Sequence, residues 1–265
     1  SLYDNDKLRG PQKGEAEITW EDLDKEVTAG LSSASNVRIL SSTVVSPTAK
    51  KVIADFSAKY PSTKHVSYDV SSVSGMIEAN SSSFGKAIVP TYDFSKAKVI
   101  VGVNCDFLGN WLSSIQHSAQ WAEGRKLVSG KDGKQTMSRH YQFETGMTIT
   151  GSAADYRDMI KPSEEGAFLI ALYNKLTGNS IGNSSVTSKI LDKCVADLKA
   201  ASGASLVVSG SNDAAIQTVV NGINSFLGNY GNTINLSKAN NTRQGNDADV
   251  AALASELKSG NVDAL

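Results

Sequence analysis

The stretch Ala97-Lys98-Val99-Ile100-Val101-Gly102-Val103 runs almost unbroken in apolar residues and passes into Asn104-Cys105-Asp106. A strand with water on one face alternates polar and apolar side chains. A continuous apolar run instead expects cover on both faces, as in a parallel sheet flanked by helices. Leu206-Val207-Val208-Ser209-Gly210 has the same character. Each run is followed by a polar segment and then by a helical pattern, and this order expects an α/β fold.

Working outward, helices and strands alternate. Thr19 is the expected N-cap of a helix ending near Leu31, with Asp22 at the fourth position of the capping box. A strand is expected over Val37–Val45. Ser46-Pro47 then opens a helix with Val52, Ile53 and Phe56 on one face, and Pro61 ends it. His65–Tyr68 reads as a strand, Ser71–Phe84 as a helix and Trp111–Leu127 as another. Ser129–Lys134 reads as a Gly/Lys loop and Ser138–Glu144 as a strand. Glu164–Leu176, Lys189–Ala201, Ala214–Leu227 and Ala248–Leu257 read as helices, with a short strand at Ile234–Leu236. Asn179–Ser185 is a polar linker that suggests two lobes. The arm at 1–16 is polar and does not start with methionine. Gly260–Leu265 reads as a turn feeding a strand that stops as it starts. Together these lead us to expect a piece of a longer protein.

The 265 residues carry 26 Lys plus Arg against 27 Asp plus Glu. A general nucleic-acid binder needs a basic surface, so that class is disfavoured. No apolar run nears the roughly 20 residues that span a bilayer. Two cysteines, Cys105 and Cys194, and three histidines, His65, His117 and His140, are scattered. They do not show the local spacing of a zinc or iron–sulfur site.

Candidate sites follow the two buried strands. Open α/β sheets bind ligands beyond the carboxyl ends of their strands, which directs attention to Gly102–Asp106 and Ser209–Asp213. The plain alternatives are a tight strand-to-helix turn at the first, and an ordinary N-cap by Ser211 or Asn212 at the second. Cys105 and Cys194 read as small buried hydrophobes unless one meets a histidine in space. Trp20, Trp111 and Trp121 read as packing residues. Glu164-Glu165 sit in a first helical turn, where the dipole favours carboxylates.

Several segments resemble the molybdopterin oxidoreductase superfamily. They are Leu8-Arg9-Gly10-Pro11 with Glu17–Glu21, Phe94–Asn104 as a strand with a "G-x-N" loop, Thr148–Asp155 leading to Pro162, and Asn224–Gly231 as "N-x-x-L-G-N-x-G". The narrower likeness lies in Phe84-Gly85, Pro90, Tyr92–Phe94, Cys105–Trp111 and Met147–Asp155. These look like the large iron–sulfur subunit of bacterial alternative complex III, a quinol:cytochrome c oxidoreductase. The resemblance implies two α/β lobes of mainly parallel sheet, like the central domains of formate dehydrogenase and DMSO reductase. The first would comprise 1–62 plus 186–265, the second 63–185.

Departures from the family pattern matter as much. The stretch His65–Gly85, where relatives carry a molybdenum ligand, has no cysteine, though Asp69 and several serines remain. The "P-G-T-D" turn is Pro162-Ser163-Glu164-Glu165 here. The resemblance therefore implies a scaffold with no catalytic residue, no metal and no bound cofactor. Gly102, Asn104 and Glu164 would be relics of a cofactor pocket. Its implied partners are the iron–sulfur half of the same subunit and neighbouring cytochrome c and membrane subunits, on the periplasmic side of a bacterial inner membrane. Apolar faces meant for those partners would make the isolated piece self-associate. One alternative is a fragment of an active enzyme holding molybdopterin guanine dinucleotide with molybdenum. A second is a small-molecule-binding α/β module using the loops after Val103 and Gly210.

Overall fold

The computed structural model describes residues 3–5, 7–129, 134–182, 185, 186 and 188–265. The loop expected at Ser129–Lys134 and the linker at Asn179–Ser185 fall partly outside them. The chain divides into two compact units, Ser1–Val70 with Gly245–Leu265, and Ser71–Gln244. The division expected at 62/63 and 185/186 differs. Residues 186–244 belong with 71–185 because they supply a strand to the same sheet.

The first unit opens with a small antiparallel hairpin of β1 (Gln12–Lys13) and β2 (Ala16–Glu17). Helix α1 (Trp20–Ser33) is capped by Thr19, whose hydroxyl accepts the Asp22 N–H at 3.1 Å. Strand β3 (Val37–Ser41) leads to α2 (Pro47–Lys59), capped by Ser46. Strand β4 (Thr63–Ser67) lies parallel to β3. The strand expected to reach Val45 stops at Ser41 because the Asp69 carboxylate takes the Thr43 N–H at 3.0 Å and turns the chain. Trp20, expected in packing, is exposed, and so is Val52; α1 and α2 have no buried residue.

The second unit runs from α3 (Ser74–Phe84) through β5 (Pro90–Tyr92), β6 (Val99–Val103) and α4 (Ser114–Gly124). A hairpin of β7 (Val128–Ser129) and β8 (Gln135–Thr136) precedes β9 (Arg139–Glu144), α5 (Ile149–Ser152) and β10 (Tyr156–Met159). Then follow α6 (Glu165–Thr177), α7 (Leu191–Ala200), β11 (Ser205–Ser209), α8 (Ala214–Phe226) and β12 (Ile234–Ala239). The chain returns to the first unit with α9 (Asp247–Lys258). No helix among the described residues is long and apolar enough to cross a membrane.

The central sheet of the second unit has the order β10-β9-β6-β11, and every pairing is parallel. Both faces are covered. Val101, Val103, Tyr141, Phe143 and Val207 face Phe168 and Leu172 of α6, Cys194 and Leu198 of α7 and Ile223 of α8. Ile100, Leu206 and Val208 face Met76, Phe94, Phe107 and Trp111. That two-sided cover is why β6 and β11 read as unbroken apolar runs. β12 pairs antiparallel with β5.

Candidate functional site

In chain order the four central strands stand third, second, first, fourth across the sheet. The connection direction reverses between β6 and β11. In open parallel sheets the crevice at such a reversal, beyond the carboxyl ends of the strands, is where ligands bind. Asn104 leaves β6 there and Gly210 leaves β11. A cleft of about 450 Å³ opens over them, lined by Ser71, Ser72, Val73, Met76, Asn104, Asp106, Asn110, Trp111, Thr148, Gly210, Ser211 and Arg243.

The floor of the cleft is set by backbone contact. The Gly210 N–H donates to the Val103 carbonyl at 3.1 Å, and a Cβ on Gly210 would stand 2.1 Å from the Asn104 carbonyl oxygen. Only glycine allows so close an approach. Asn104 adopts a left-handed conformation, φ 43°, which asparagine accepts more readily than most residues. Its amide then points inward. Asn104 Nδ2 donates to Glu165 Oε2 at 3.1 Å, and its Oδ1 accepts the Thr145 N–H at 2.9 Å. The Ser209 hydroxyl donates to Glu165 Oε1 at 2.7 Å and accepts the Ser211 N–H at 3.0 Å. The buried Glu165 carboxylate thus ties the ends of β6 and β11 together.

One wall is built from Asp106. Its Oδ1 accepts the Thr150 N–H and hydroxyl at 3.2 and 2.7 Å, and the Thr150 hydroxyl in turn accepts the Leu108 N–H at 3.0 Å. Behind it lies a buried polar column on one face of β9: His140, Gln142 and Glu144. Gln142 Nε2 donates to the Cys105 carbonyl at 3.1 Å. Burial opposes charge on Glu144, but hydrogen bonds from Arg157, Thr148 and Gln142 hold its carboxyl below the usual range; the Arg157 contact is 2.7 Å. At the rim, Arg243 donates to the Asn110 carbonyl at 3.3 Å and forms no ion pair among the described residues.

Of the expected site residues, Asn104 lies at the cleft but is consumed by internal bonds. Gly102 lies within β6, where the missing side chain makes room for Gln142: a Cβ there would meet Gln142 Oε1 at 2.0 Å. Glu164 is elsewhere, paired with Lys161 at 2.9 Å on the surface. Its neighbour Glu165 is the residue in the site. Asp69 is not free to take a metal, because its Oδ2 accepts the Thr43 hydroxyl at 2.6 Å and the Gly245 N–H at 2.8 Å. The α8 cap is Asp213, not Ser211 or Asn212; Asn212 Oδ1 instead accepts the Gly75 N–H at 3.0 Å. Among the described residues no group of three or more His, Cys, Asp or Glu could hold a metal ion.

Burial pushes the Cys105 thiol well above its usual range, and the nearby Asp106 and Glu165 carboxylates push the same way. A thiol so held is not a thiolate nucleophile. No histidine lines the cleft to activate Ser71, Ser72 or Ser211.

Fold and site together define a parallel α/β module with a polar cleft at its topological switch point. No family model matches the sequence, and no curated protein matches it. Among solved structures, the chain is similar to a chain of the formyltransferase/hydrolase complex (FhcABCD) from Methylorubrum extorquens in complex with methylofuran. The TM-score is 0.56 at 14% identity, and the match covers 81% of this chain. It covers 56% of the other chain, so this chain spans little more than half its length. The likeness is one of fold. It corrects the expectation of a molybdopterin oxidoreductase-like scaffold in a quinol-oxidising respiratory complex: the similar fold found belongs to a formyltransferase/hydrolase complex, and no sequence family stands behind the earlier resemblance. The periplasmic placement rested on that resemblance and loses its support with it.

Proposed function

We propose that this chain is a ligand-binding α/β module whose site is the cleft beyond β6 and β11. Its ligand is a small polar molecule carrying an anionic group. The observation that supports this best is the close backbone approach of Gly210 to Asn104 under an open cleft at the point of strand reversal. Arg243 at the rim supplies the cation. Hydroxyls of Ser71, Ser72 and Ser211 supply neutral partners, and Met76 and Trp111 supply an apolar wall.

The test is thermal unfolding of the 265-residue chain with phosphate, succinate or adenosine monophosphate, followed by calorimetric titration. A ligand that binds only the folded state at a hundred times its Kd adds about 2.7 kcal/mol. We expect at least one of the three to raise Tm, and Arg243→Ala to abolish the rise while leaving the unliganded Tm unchanged. If none shifts Tm at millimolar concentration, or if the shift survives in Arg243→Ala, this reading fails.

A second reading is supported by the fold likeness over 81% of the chain. In it the module is part of a subunit in a formyltransferase/hydrolase-type assembly, and the cleft ligand is part of methylofuran. Titration with methylofuran separates the two: binding at the cleft favours the second.

A further inference from the structure

The cleft beyond β6 and β11 carries two opposite charges that do not meet. Asp106 and Arg243 both line it. Among the described residues neither forms an ion pair, with the other or with any third group. Each is held on its own side. Asp106 Oδ1 is spent on Thr150, taking its N–H and hydroxyl at 3.2 and 2.7 Å. Asp106 Oδ2 accepts no hydrogen bond among the described residues. It fills the space that a side chain at the next turn would need, since a Cβ on Gly109 would stand 2.0 Å from it.

One turn of chain sets the spacing between the two charges. The Asp106 carbonyl accepts the Gly109, Asn110 and Trp111 N–H groups at 3.1, 2.9 and 3.0 Å. The Asn110 carbonyl in turn accepts from Arg243 at 3.3 Å. Carboxylate and guanidinium are thus pinned apart, and each keeps unused hydrogen-bonding capacity: one oxygen on the first, further N–H groups on the second. A cleft of about 450 Å³ leaves any ligand on Arg243 close to Asp106. A ligand carrying only negative charge would pair with the first and be repelled by the second. A ligand carrying both signs satisfies both.

We propose that the cleft takes a small zwitterion, an amino acid in the broad sense, whose carboxylate pairs with Arg243 and whose ammonium group donates to Asp106 Oδ2. This rests on the cleft being an anion-taking ligand site and narrows what that ligand is. Met76 and Trp111 lie along the cleft for the carbon chain. Phosphate, succinate and adenosine monophosphate engage Arg243 alone and bind more weakly.

The experiment is calorimetric titration of the 265-residue chain at pH 7 with glycine, β-alanine, 4-aminobutyrate and 5-aminopentanoate. Each is paired with the carboxylate of the same length that lacks the amine: acetate, propionate, butyrate and pentanoate. We expect the amino acid whose length matches the fixed spacing to bind at least about tenfold tighter than its amine-free partner. Asp106→Asn keeps an oxygen for Thr150 and removes the charge. In it the ratio should fall to near one, while the amine-free partner binds as well as before or better. The ratio is read within one variant, so a change in stability does not imitate the effect. Equal binding of the two series in the parent chain, or a ratio that survives in Asp106→Asn, would overturn the proposal. Binding of phosphate, succinate or adenosine monophosphate but of no amino acid would sink the zwitterion and leave the anion site standing. Binding of nothing would sink both.

Discussion

The Asn104 carbonyl oxygen occupies the space that a side chain on Gly210 would need: a Cβ there would lie 2.1 Å away. The oxygen is backbone and the backbone fixes where a Cβ stands, so neither can yield by a rotamer change. Gly210→Ala should therefore part the ends of β6 and β11. Overpacking of this kind costs roughly 1–3 kcal/mol. The urea midpoint should fall accordingly, and ligand binding at the cleft should fall further than stability does. Gly146→Ala, where nothing stands within 4 Å, is the control and should leave both near the parent values. Equal midpoints for the two variants would mean that the sheet ends are not held as described.

Glu165 accepts two hydrogen bonds, from Asn104 Nδ2 at 3.1 Å and from the Ser209 hydroxyl at 2.7 Å. Glu165→Gln replaces one acceptor oxygen with an amide donor. Asn104 cannot flip to compensate, because its Oδ1 already takes the Thr145 N–H. With the glutamine oxygen kept on Asn104, its amide faces the Ser209 hydroxyl, which turns to accept it and gives up its own bond to a charged acceptor, a loss of about 1 kcal/mol. Glu164→Gln, one residue earlier on the surface, should leave the midpoint unchanged. Similar losses in both variants would place the two carboxylates in equivalent surroundings, against the contacts found.

The contrast between these neighbours shows how far the sequence could be read. β6 and β11 were legible because burial on both faces leaves a continuous apolar run, and Asn104 was legible from its place after such a run. β10 was missed: Tyr156-Arg157-Asp158-Met159 is an edge strand with no buried residue, so it lacks the apolar signal. Glu165 was missed because its role depends on where β6 and β11 end in space, and nothing local separates it from Glu164. The motif likeness misled for a related reason. Phrases such as Gly102–Asn104 satisfy strand-to-loop geometry that many parallel α/β sheets share, so they report fold more strongly than lineage.

Gly102 and Gln142 occupy one space. A Cβ on Gly102 would meet Gln142 Oε1 at 2.0 Å, and Gln142 is fully buried with its Nε2 on the Cys105 carbonyl. Gly102→Ala should expel the glutamine from that bond and cost about 2 kcal/mol. Gln142→Ala alone should cost a similar amount. Together they should cost less than the sum by roughly 1 kcal/mol or more, because alanine at 142 leaves room for the new methyl. Additive losses in a double-mutant cycle would show that the two sites do not share space.

The folded chain keeps two histidines uncharged. Burial pushes His117 down to about 4, against a backbone hydrogen bond involving Trp111 that favours the charged form. Burial likewise pushes His140 down to about 4, opposed by its contact with Gln142 and the nearby Asp155 and Glu144 carboxylates, and aided by Arg125. Tyr92, Phe94 and Trp111 surround His117, while Phe107 and Trp121 flank His140. Among the described residues neither Nδ1 has a hydrogen-bond partner. An unfolded histidine titrates near 6.5, so below that pH the unfolded chain binds protons that the folded chain refuses. Stability from this source is complete above about pH 6.5 and is lost as pH falls towards 4. By pH 5 the loss is about 2 kcal/mol per histidine, at about 1.4 kcal/mol per pH unit. Glu144 and Asp155, both held below the usual carboxylate range, lose their contribution only at lower pH, so the window from 7 to 5 isolates the histidines. Urea midpoints at pH 7, 6 and 5 should fall steadily for the parent chain, less for His140→Phe, and hardly at all for the double variant with His117→Phe. A parent midpoint that stays level across that window would mean that these rings accept protons in the folded state.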